Sequence, residues 1–101
     1  MAIRSEHRPL LQILHEARAL VDRPSNDFIW SSWEDGAAAT AELDQYIESI
    51  ERGRLPSRLD LSVIFAATGP MQEVSLSSGW SEEFLVLAER FDVVAATLKW
   101  T

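Results

Sequence analysis

The stretch Ser57-Arg58-Leu59-Asp60-Leu61-Ser62-Val63-Ile64-Phe65-Ala66-Ala67-Thr68-Gly69-Pro70-Met71-Gln72-Glu73-Val74-Ser75-Leu76-Ser77-Ser78-Gly79 decides between two folds. Leu59, Leu61, Val63 and Phe65 alternate, as do Val74 and Leu76 against Glu73, Ser75 and Ser77, which is the period of two strands turning near Thr68-Gly69-Pro70. Helical signals compete with that hairpin. Ser57 followed by Asp60 is a start signal, Gly69-Pro70 puts a proline where a helix begins, and Gly79 stands where a short helix over 70–78 would end in a left-handed cap. These punctuation marks favour two short helices. The fold expected is therefore mainly α, a bundle of four or five helices, with α+β and a hairpin at about 59–77 as the alternative.

Outward from this stretch the periodicity is plainer. Residues 8 to 22 place Leu10, Ile13, Leu14, Ala17, Leu20 and Val21 on one helical stripe, and Pro24 cannot continue it. Ser31-Ser32-Trp33-Glu34 has capping-box spacing, which predicts a second helix from there to Gly53, with Thr40, Leu43, Ile47 and Ile50 facing inward. Ser81 is read as the cap of a last, central helix, with Trp80 and Leu85 as its hydrophobic staple and Phe84, Leu87, Ala88, Phe91, Val94, Ala95 and Leu98 as its stripe. The predicted core is Leu14, Leu43, Ile47, Ile64, Phe65, Phe84, Leu87, Phe91 and Val94.

The chain has 101 residues, 47% of them apolar, and neither internal repeats nor low-complexity tracts, which suits a single globular domain over 1–101. There is no cysteine, so thiolate metal sites, disulfides and cysteine nucleophiles are excluded. No apolar run approaches the roughly 20 residues that span a bilayer, and no signal-peptide pattern opens the chain, so a cytoplasmic protein without membrane association is expected.

Catalytic patterns are missing. His7 and His15, eight apart, would stand about 80° out of register on one helix and are expected to be surface residues rather than metal ligands. The serines lie in neither G-x-S-x-G nor S-x-x-K settings, and the four glycines stand apart, so no nucleotide loop is present. With no convergent acid, base and nucleophile, the expectation is a non-enzyme without metal or cofactor.

Charge is unevenly placed. The net charge is -7 and the isoelectric point is near 4.7, which argues against a phosphate-binding surface and hence against nucleic acid. Residues 24–52 carry Arg52 against Asp27, Glu34, Asp35, Glu42, Asp44, Glu48 and Glu51. Asp44, Glu48 and Glu51, at i, i+4 and i+7, form one stripe that could steer a basic protein partner. Phe28, Trp30 and Trp33 cluster beside it, and tryptophan is enriched at interface hot spots. The predicted partner-binding residues are therefore Trp30, Trp33, Asp44, Glu48 and Glu51. Nothing in these patterns sets an oligomeric state.

The run Asn26-Asp27-Phe28-Ile29-Trp30-Ser31-Ser32-Trp33, with Ile64 to Trp80 further on, resembles small acidic bacterial proteins of unassigned function, some of which act as immunity proteins that block a toxin. The likeness spans roughly residues 24 to 92. It implies an inhibitor of a toxin, and with the acidic stripe the expected target is a basic toxin or nuclease; the alternative is a structural or assembly subunit without inhibitory activity.

Overall fold

Ser57 accepts a hydrogen bond from the Asp60 amide and opens a helix, Arg58–Ile64. A second, Pro70–Ser78, ends at Gly79 with φ 84°, so the deciding stretch is two helices and the hairpin does not form. The computed structural model describes residues 3–100, and among them five α-helices and no strand are present. They are α1 (Arg8–Val21), α2 (Gly36–Glu51), α3 (Arg58–Ile64), α4 (Pro70–Ser78) and α5 (Ser81–Thr97), preceded by a 3-10 turn at Ser5–His7.

The link between α3 and α4 has a steric reason for its glycine. A Cβ at Gly69 would run into the carbonyl oxygen of Val63 and sit 3.2 and 3.3 Å from those of Ala66 and Ile64. With α3 ending only a few residues earlier, the backbone itself fills the space a side chain would need.

All six predicted inward residues of α1 are buried. This helix, not α5, is the middle of the bundle: it packs against α2 on one side and α5 on the other, while α5 also packs against α4. Its amphipathic stripe is wide enough to serve two neighbours because Leu10, Ile13, Leu14, Ala17 and Val21 are all sealed from solvent. One continuous core joins α1 through α5, and within it Phe65 stacks on Phe91 with ring centroids 4.5 Å apart. Every predicted core residue is buried except Val94, which is half-buried against the cluster.

Two helix starts differ from the sequence reading. The cap of α2 is Asp35, whose side chain accepts from the Ala38 amide, and the helix begins at Gly36 rather than at the Ser31 box. Ser31 is held elsewhere, donating to the Pro70 carbonyl and accepting from the Trp33 amide. Along α2 the buried stripe is Ala39, Leu43, Ile47 and Ile50, with Thr40 at its edge. In α5, Ser81 is the first helical residue and Trp80 occupies the cap position. Leu85 is exposed and does not close a staple over Trp80, whose indole instead donates to Asn26 at 2.8 Å. His7 is buried, not a surface residue.

Candidate functional site

The loop between α1 and α2 is the longest connection in the fold, and it is fixed along its length. Asn26 donates to the Leu20 carbonyl at 2.8 Å while accepting from the Trp80 indole. The Asp27 amide donates to the Ser78 hydroxyl at 2.9 Å, and the Asp27 carboxylate accepts from the Ile29 amide, an Asx turn. Ser31 then ties the far side of the loop to Pro70 at 3.0 Å. Phe28 packs inward against the core. Between these anchors Ile29 and Trp30 stand 75% and 74% exposed. Two large apolar side chains thus stand in solvent on a hydrogen-bonded loop.

Trp33 behaves differently. It is 5% exposed and belongs to the core, so, unlike Trp30, it is not displayed at the surface. Its indole donates to Glu42 Oε1 at 3.0 Å, and Glu42 Oε2 accepts from the Tyr46 hydroxyl at 2.9 Å. Glu42 thus latches the loop to α2. Burial first, and then the Glu42 carboxylate beside it, push the Tyr46 hydroxyl well up, so it remains a proton donor. The i, i+4 spacing of Glu42 and Tyr46 is visible in the sequence; the third member, Trp33, arrives only through the fold of the loop.

The acidic stripe divides in the same way. Glu48 and Glu51 are exposed, and among the described residues neither is ion-paired. Asp44 is half-buried and engaged by Arg18 through two hydrogen bonds of 2.6 and 3.2 Å. Those bonds, chiefly, hold its carboxyl below the usual carboxylate range. Asp44 is therefore a brace between α1 and α2 and not a free steering charge. By the helix rise Glu48 stands about 18 Å, and Glu51 about 22 Å, along α2 from Gly36, so the acids lie towards the end of α2 remote from the loop.

A second apolar surface lies on α5. Leu85, Val86 and Val93 are exposed, and two hollows of about 410 Å3 flank α5 on its α1 side, separated by the Arg90–Glu16 bridge. Among the described residues no three His, Asp or Glu side chains converge as a metal site would require, and no helix is long and apolar enough to cross a membrane. No family model, curated protein or solved structure matches the chain.

Proposed function

We propose that this chain is a cytoplasmic protein-binding module of the immunity type, which blocks a basic toxin or nuclease and catalyses nothing itself. The observation that carries the reading is the pair Ile29 and Trp30, about three-quarters exposed on a loop whose neighbours are hydrogen-bonded on both sides. Pre-organisation matters because an anchor held in place before binding loses little conformational freedom on docking. Glu48 and Glu51 supply the complementary charge, acting on the encounter with a positively charged surface rather than on the final contact.

The test is capture of a partner from the native host, followed by binding kinetics and an assay of the partner's own activity. A basic partner whose activity is blocked at one-to-one stoichiometry is expected, and Trp30→Ala should raise its dissociation rate by about 30-fold, the equivalent of a 2 kcal/mol hot spot. Because Trp30 lies outside the core, its melting temperature should stay that of the wild type. Unchanged dissociation, or a partner whose activity is untouched, would overturn the inhibitor reading.

A structural or assembly subunit is the second reading, favoured by the exposed Leu85, Val86 and Val93 on α5. It expects substitutions on α5, and not Trp30→Ala, to release the partner.

A further inference from the structure

At one end of the bundle the 3-10 turn, the link that follows α2, and the end of α5 with Lys99 just past it meet around two adjoining hollows of about 290 and 310 Å3. Arg4, His7 and Lys99 border both, and Arg54 borders the second. A chain of net charge -7 thus gathers three of its nine cationic side chains at one place. The acid on these walls, Glu6, lies 3.7 Å from Arg4. Among the described residues neither Arg54 nor Lys99 is paired with a carboxylate.

A second observation does not depend on charge. His7 is 5% exposed, and its buried Nδ1 has no hydrogen-bond partner. The His7 ring also lines both hollows, so a molecule seated there lies against it. We propose that these hollows form a binding site for a small phosphate-bearing molecule, a phosphate monoester held by Arg4, Arg54 and Lys99 with the His7 ring at its wall.

The chemistry favours this class over its neighbours. Three cations bordering adjoining hollows reward a dianion more than a monocarboxylate, and two of them are arginines, whose planar forks match phosphate oxygens in pairs. Hollows of about 290 and 310 Å3 suit a compact ion or ester rather than a larger ligand. A long polyanion is disfavoured because it would lie against the acidic remainder of the surface, whereas a compact one feels mainly the charges within a Debye length.

The probe is inorganic phosphate, titrated into the full chain at constant ionic strength with chloride as the replaced ion and followed by NMR. Saturable shifts are expected at the His7 ring and at the amides of Gly53, Arg54, Leu55 and Lys99. Arg54→Gln with Lys99→Gln, both exposed positions that leave the fold intact, should weaken binding about tenfold or more, and Glu6→Gln should tighten it. Arg23→Gln removes one cation from a distant part of the surface and should change nothing. Glycerol 3-phosphate should bind, while vesicles of phosphatidylcholine carrying phosphatidic acid should not recruit the chain, because the source is a soluble ester. An unsaturable titration, an unmoved His7 ring, equal weakening by Arg23→Gln, or recruitment to the vesicles would each overturn the proposal.

Discussion

Four tryptophans have different surroundings, and the surroundings decide what each does. Trp80 is buried with its indole on Asn26, Trp33 is buried with its indole on Glu42, Trp100 is half-buried against Arg58, and Trp30 alone is displayed. Replacing Glu42 by Ala would leave the Trp33 indole unpaired in a dry place, and about 1–3 kcal/mol of stability should be lost. Chemical denaturation reads this directly, and a loss no larger than that of a surface substitution would remove Glu42 from the role of latch. Phe91 is a core residue of another kind, since it stacks on Phe65 and has no polar atom to satisfy. Phe91→Ala should cost about 3–5 kcal/mol through lost burial and the cavity left behind. A change below about 1 kcal/mol would place Phe91 outside the core.

At the scale of elements, α1 is braced to its two neighbours by ion pairs. Glu16 receives two hydrogen bonds of 2.7 Å from Arg90 on α5, and Asp44 on α2 receives two from Arg18. In both cases the arginine hydrogen bonds are the chief reason the carboxyl is held below its ordinary range. A carboxyl that is more acidic in the folded chain than in the unfolded one contributes stability above its unfolded pKa. That contribution fades as the pH falls through the lower, folded value. Melting temperature should therefore hold steady near neutrality and drop below about pH 4, where free carboxyls begin to protonate. The variant carrying Arg18→Gln and Arg90→Gln should lose less over that acid range than the wild type, since its carboxyls have no bridge to release. Parallel acid curves for the two proteins would show that the braces do not govern the acid transition. Both pairs are partly open to water, so added salt should flatten the difference.

The whole molecule measures 36 × 23 × 18 Å with a Cα radius of gyration of 13.0 Å, which is what a folded chain of this length should have. Its net charge of -7 acts over the entire surface, but Asp44 is already spent on Arg18. Steering of a basic partner should therefore respond to Glu48 and Glu51. Reversing these two to Lys is expected to slow association roughly tenfold at low salt and much less at high salt, with the dissociation rate and the melting temperature unchanged. Stopped-flow kinetics across a salt series separates this from Asp44→Lys, which should lower stability by opening the brace between α1 and α2. If the double reversal leaves association unchanged at low salt, the acidic end of α2 takes no part in recognition.

The helices and most of their inward faces were legible in the sequence because they rest on interactions a few residues long. The α1 stripe, the Ser57 cap, the Pro70 start and the left-handed Gly53 and Gly79 all stand where periodicity and punctuation put them. The reading of helices rather than a hairpin at about 59–77 also turns on such local marks. The start of α2 was harder. Two acceptors, Ser31 and Asp35, stand ahead of it; Asp35 caps the helix, while Ser31 is bonded to Pro70, 39 residues away, a contact that spacing does not show. The same distance rule separates the candidate site residues. Glu48 and Glu51 are exposed because their helix face is polar, and that follows from spacing alone. The burial of Trp33 beside the exposure of Trp30, the capture of Asp44 by Arg18 across 26 residues, and the orphaned His7 do not follow from spacing. Each depends on which side chains the packing of α1 between α2 and α5 brings within reach. Local sequence sets the conformation of a segment and the face it must bury, whereas which polar groups find partners and which aromatic rings stay in water is decided only when distant segments meet.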